Sequence, residues 1–238
     1  MVAQLIRLLV RLKLTLLRNS LRTSTSQRIA TIVGALVALL LTTTGTLLLA
    51  LLRVVDASWA AFGVVAGGSL LVLGWGLVPL LVSGVDETLD PARFALLPLR
   101  ARQLAPGLLL SGVLGIPGVA TSVLALGTLI TWSRAPLPEL LAIPSALLGV
   151  LTCVLMSRLL TTAAARVLAA RRSREVGTVV AVLLMSSLGL WPTLLSQGRL
   201  RPADAAALVD VLGWTPLGLP WAGPADAATG HPARAVVR

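Results

Sequence analysis

The stretch IATIVGALVALLLTTTGTLLLALL, Ile29 to Leu52, runs for 24 residues without a charge. As an α-helix it is about 36 Å long, enough to cross the roughly 30 Å of hydrocarbon in a bilayer. Its apolar residues come as one block rather than at helix or strand period, so no face of it is marked for water. The whole chain has this texture: 56% of the 238 residues are apolar and 12% charged, about half the charge of a water-soluble domain. These features predict an all-α, polytopic transmembrane helix bundle.

Working outward, a short turn with Arg53 and Asp56 leads to a second span, Trp59 to about Ser83. The longest polar connection between spans, Gly84 to Pro106, follows. A third span runs from Gly107 to Thr131. The turn Trp132 to Pro138 returns to a fourth, Leu140 to about Ala165, and a basic loop precedes a fifth, Val176 to Leu195. Residues 203–221 are interrupted by Asp204, Asp210, Pro216 and Pro220, too often for a sixth span. Three regions result: an N-terminal amphipathic interfacial helix within 1–28, a five-span domain over 29–195, and a Pro/Gly/Ala-rich tail, or the start of a further membrane segment, over 196–238.

The first region carries Arg7, Arg11, Arg18 and Arg22. At 100° per residue they fall within roughly 60° of one another, with leucines around most of the remaining circumference. That pattern suits a helix lying on anionic membrane lipids better than a plain positive flank to the first span. It is not a signal peptide, since Arg7, Arg11 and Lys13 interrupt its apolar residues and no small-residue cleavage site follows.

The net charge of +11 does not indicate nucleic acid. Nineteen of the 20 basic residues are arginine, clustered between apolar blocks with almost no aromatic side chains beside them. Counting Lys and Arg in alternate connections gives thirteen (six before the first span, three in the second connection, four in the fourth) against two, Arg53 and Arg134. Basic residues stay on the cytoplasmic side, so the N-terminus is expected in the cytoplasm of a multi-pass plasma-membrane protein. Trp59, Trp132 and Trp191 fall at the outer span ends, as an aromatic belt would.

No enzymatic set is legible, and no cofactor is expected. The single lysine, Lys13, stands in no GxxxxGK[ST] run, which excludes a phosphate-cradling P-loop. One Cys and one His exclude a metal cluster built from them. Asp86, Glu87 and Asp90 are spaced so that a helix would let them hold Mg²⁺, but no second acidic loop completes such a site. They read as a solvated or partner-binding loop. Arg158 lies in the cytoplasmic half of the fourth span. It is either a functional intramembrane charge or an arginine snorkelling to headgroups about two turns away, and the second fits its position better. Gly63/Gly67 and Ser111/Gly115 have helix-packing spacing, and Pro79, Pro117, Pro144 and Pro192 are candidate kinks. Cys153 reads as a core filler and His231 as a tail residue.

The second connection carries DETLDPARF, Asp86 to Phe94, then Leu97-Pro-Leu99 and Leu104. With the opening Met1 to Arg7, Leu16 to Ser20, Thr131 to Arg134, Arg171 to Glu175 and Trp214-Thr-Pro-Leu-Gly218, it resembles the actinobacterial ABC-2-type transporter permeases over nearly the whole chain. The resemblance implies the transmembrane subunit of an ATP-driven transporter, usually an exporter, with its surface helix at 2–24. It implies that Asp86 to Leu104 docks on a separate ATP-binding subunit. Asp86, Glu87, Asp90, Arg93 and Arg100 would then make rim contacts, and Phe94, Leu96 and Leu97 would fill a groove. Members hold roughly twice as many spans, so a dimer or a second transmembrane half is expected. The competing expectation is a membrane-anchored regulatory or assembly protein that binds a partner through the same loops without transporting.

Overall fold

The computed structural model describes residues 25–82, 112–167 and 201–238. These form α-helices with no strand among the described residues: α1 Thr25–Leu52, α2 Ala57–Val82, α3 Ile116–Trp132, α4 Pro136–Val167, α5 Pro202–Gly213, α6 Leu219–Ala228 and α7 Pro232–Val237. Three stretches are long and apolar enough to cross a membrane: Arg28–Leu52, Ala57–Leu77 and Pro136–Ala163. They coincide with the expected first, second and fourth spans. Val176 to Leu195 lies outside the described residues, as does the surface helix at 2–24.

The third expected span is corrected. Within the described residues the helix is broken at Leu114 and Gly115; α3 starts at Ile116 and has 17 residues. Gly115 is extended, at φ −79° and ψ 163°, with Pro117 in the first helical turn. Proline drives its predecessors away from continuous helix while fitting a first turn whose N–H groups are free anyway. Pro144, by contrast, lies inside α4 without ending it.

Helix α2 packs on α4, α3 on α4 and α1, and α1 meets α2 only marginally. The core is built largely of small side chains, Ala60, Ala61, Val64 and Val65 of α2 with Ala125 of α3 and Ala142 and Ala146 of α4. Such residues let helix backbones approach closely, the usual packing where lipid removes any hydrophobic drive between helices. Polar side chains cross between helices: Trp75 Nε1 donates to Thr121 Oγ1 at 2.8 Å, and Thr131 Oγ1 to the Leu49 carbonyl at 2.8 Å.

At one end of the bundle two turns are stitched together. Arg134 donates to the carbonyls of Leu52 and Val55, and Arg53 donates across to the Ser133 carbonyl at 3.5 Å. The last carbonyls of a helix lack intrahelical partners, and Arg134 supplies one to the final residue of α1. Trp132 at this end is 1% exposed. It belongs to the core and not to an aromatic belt, which corrects the sequence reading. Trp59, half-buried, meets Phe62 edge-on at 6.2 Å.

The tail is also resolved into structure. Pro202 and Asp204 start α5, where the Asp204 carboxylate accepts from the Arg201 N–H at 3.0 Å. Thr215 and Gly218 shape the turn into α6; a Cβ on Gly218 would stand 2.3 Å from the Leu212 carbonyl oxygen, so this turn admits glycine alone. Helix α5 packs on α2, and α6 packs on both α2 and α4. Asp204 and Pro220 therefore lie in the first turns of two short helices, with Pro216 in the turn between them, rather than breaking one long helix.

Candidate functional site

Trp221 is where the tail meets the bundle. Its ring lies between Gly68 of α2 and Gly149 of α4. A Cβ on Gly68 would come within 2.5 Å of the indole, and one on Gly149 within 2.3 Å. The two glycines leave a slot one ring thick, and Trp221 fills it at 2% exposure. Ser145 Oγ of α4 donates to the neighbouring Pro220 carbonyl, and a Cβ on Gly218 would stand 3.1 Å from Ser69 Oγ of α2. Gly68 is eleven residues from the start of α2 and Gly149 thirteen from the start of α4, about 17 and 20 Å along their axes. The hairpin of α5 and α6 thus reaches near mid-length of the long helices.

The hairpin holds itself together by charge. Arg238 is 1% exposed at its side chain and bonds Asp226 Oδ2 at 3.1 Å and Asp210 Oδ1. Arg234 pairs with the same Asp210 oxygen at 3.1 Å. The Arg238 guanidinium also lies 4.7 Å from the centre of the Trp214 ring, a cation–π contact. Gly213 makes room for it, since a Cβ there would be 2.6 Å from Nη1. Two carboxylates and two guanidiniums neutralise one another, as ionised groups among apolar helices must. The cluster joins α5, α6 and α7 without touching α2 or α4 through a charge.

Of the coupling-loop, surface-helix and intramembrane charges singled out in the sequence, Arg158 is the one the structure describes. It is half-buried on α4, on the side that carries the exposed Leu151 and Leu155. It makes no ion pair among the described residues. Twenty-two residues from Pro136 it lies about 33 Å along the helix. Arg7, Arg11, Arg18 and Arg22 lie outside the described residues. So do Asp86, Glu87, Asp90, Arg93, Phe94, Leu96, Leu97 and Arg100. Cys153 is fully buried in α4, in keeping with a core filler.

Sequence spacing pointed to Gly63 and Gly67, and half of that pair is misplaced. Gly63 faces Leu52, where a Cβ would meet Cδ1 at 2.8 Å, but Gly67 has open space beside it. The close approach is made one residue later by Gly68. Nothing in the sequence joined Gly68, Gly149 and Trp221, because the slot forms only when three distant segments pack.

No protein-family model matches this chain, and neither does any curated protein or solved structure.

Proposed function

We propose that the chain is the transmembrane subunit of an ATP-binding cassette transporter of the ABC-2 permease kind, driven by a separate ATPase and working as an exporter. In this reading five spans cross the plasma membrane. The end where Arg53 and Arg134 stitch two turns faces outward, and residues 1–28, 84–106 and 166–175 lie in the cytoplasm. The hairpin of α5 and α6 then enters from the outer face to about half the bundle's depth. A dimer or a second transmembrane half completes the path, anionic lipid holds the surface helix, and Arg158 sits near the inner headgroups.

One observation supports the orientation most. The turn after α1 and the turn after α3 meet at one end of the bundle, and each holds one basic residue. The connections that leave the opposite end hold thirteen. Each outer arginine is also occupied with a backbone carbonyl, a use that explains its presence on the side where basic residues are scarce.

Mechanically, nucleotide-driven closure of the ATPase pulls on Asp86 to Leu104, the connection joining α2 to α3. That pull tilts both helices against α4. Phe94, flanked by Leu96 and Leu97, is the apolar anchor. Phe94→Ala should weaken docking by about 2 kcal/mol or more and leave membrane insertion unchanged. Pull-down of the ATPase and membrane-stimulated ATP hydrolysis, compared at equal expression, read this out. Unaltered association and stimulation would remove the loop from the mechanism and leave the regulatory or assembly protein as the better reading.

A further inference from the structure

Half of the tail's charge cluster is open. The side chains of Arg238 and Asp226 are 1% and 7% exposed, but those of Asp210 and Arg234 are 48% and 53% exposed. At 100° per residue Asp210 shares a face of α5 with Asp204, Ala207, Val211 and Trp214, and those four are exposed. The open flanks of the long helices are of another kind, with Leu147, Leu148 and Leu151 exposed on α4. Hydrocarbon suits leucine; it does not suit half-exposed carboxylates and guanidiniums.

Depth gives this contrast its weight. The turn after α5 ends at Gly218, where a Cβ would stand 3.1 Å from Ser69 Oγ. Ser69 is twelve residues from the start of α2, about 18 Å along its axis, and lies inside the apolar stretch Ala57–Leu77. The core that α5 joins takes Ala60, Ala61, Val64 and Val65 from α2, so the tail extends from the level of Ser69 back towards the stitched turns. Asp210 is one helical turn from Trp214, and within the turn itself Trp214 and Pro216 are exposed. Non-helical backbone at membrane depth is tolerated only inside protein or against water, and ionised side chains obey the same rule. No described residue covers this face, which leaves water.

We propose that the face of the tail carrying Asp210, Val211, Trp214 and Arg234 borders an aqueous recess, open at the end of the bundle with the stitched turns and reaching the level of Ser69. It admits water and hydrated polar solutes to the middle of the membrane and excludes lipid. Only the statement that this end faces outward rests on the permease reading; the recess does not.

Thiol labelling of the full chain in sealed vesicles of either orientation tests it, with a charged, membrane-impermeant reagent and a Cys153→Ala background. A thiol reacts as its thiolate, which water allows and hydrocarbon suppresses. Val211→Cys and Ala207→Cys, at exposed positions of α5, should react at least about tenfold faster than Leu147→Cys. Leu147 is 61% exposed and lies at about the same depth, eleven residues into α4. Ala135→Cys, in the stitched turns, should react from the same side as Val211→Cys. If both α5 cysteines stay silent until the protein is denatured, lipid or a second copy covers the face and the proposal is overturned. Equal rates at Leu147→Cys would also overturn it, since the whole level would then lie outside hydrocarbon. So would reaction of Val211→Cys and Ala135→Cys from opposite sides. Which side the two share tests the orientation in the permease reading instead, so the recess and that reading fail separately.

Discussion

Helix α1 and the tail helices α5 to α7 invert the usual relation between apolarity and burial. Helix α1 contains the 24 uncharged residues from Ile29 to Leu52, yet none of them is buried, and Leu36, Leu40 and Leu47 are among its most exposed. The tail has five prolines and five charged residues between Arg201 and Arg234. It nonetheless buries Ala205, Trp221, Ala222, Ala225 and Asp226 almost completely. In water this would be an inside-out protein. In a bilayer it is sensible, because lipid is as apolar as leucine and the bundle interior is chosen for close fit and satisfied polarity. In a bilayer, apolarity would mark what faces lipid, and glycine, alanine, serine and paired charge what faces protein.

The largest expected effect comes from breaking the tail's charge cluster. Arg238→Ala leaves Asp226, 7% exposed at its side chain, without its guanidinium. Breaking a buried pair costs about 3–5 kcal/mol. The tail should lose protection in hydrogen exchange while α1 keeps its own. Protection lost equally in both would mean they unfold as one unit and the contrast has no energetic meaning. Next, Leu40→Arg places a charge on the 67% exposed flank of α1. If lipid covers that flank, insertion is disfavoured by about 2.5–3.5 kcal/mol, read as the inserted fraction in microsomes. Unimpaired insertion would mean the flank faces water or protein. Gly149→Val, smaller in the atoms added, forces a branched side chain into the Trp221 ring and should destabilise by about 1–3 kcal/mol, seen as a lower melting temperature. The smallest effect sharpens the comparison from the other side: Leu40→Ala should change the melting temperature of the inserted protein hardly at all, within about 0.5 kcal/mol.

The long helices were legible because a hydrocarbon slab imposes a length and a composition that a single segment must meet alone. Ile29 to Leu52 satisfies both conditions without help from any neighbour. The break before α3 was half-legible: Gly115 and Pro117 stood in view, but proline is tolerated inside α4 at Pro144, so its presence by itself does not choose between a kink and a start. The tail was illegible for a different reason. Its stability depends on what Gly68 and Gly149 lack, and an absent side chain has meaning only once the opposing ring is known. Aspartate and arginine between Asp204 and Arg238 read as water-facing when taken singly. Only their pairing lets them approach apolar helices.

The stitched turns carry a mechanical consequence. With Arg134 bonded to the end of α1 and Arg53 bonded back to Ser133, the two helical pairs share a fulcrum at one end and are free of it at the other. Helix α4 has 32 residues and is a rod of about 48 Å. Each degree of tilt about the fulcrum sweeps its far tip through about 0.8 Å, while the level of Trp221, near mid-length, moves less than half as far. A force applied at the loop end is thus geared down at the slot. On the permease reading, a stroke at the loop end would be reduced to less than half its size at the level of Trp221.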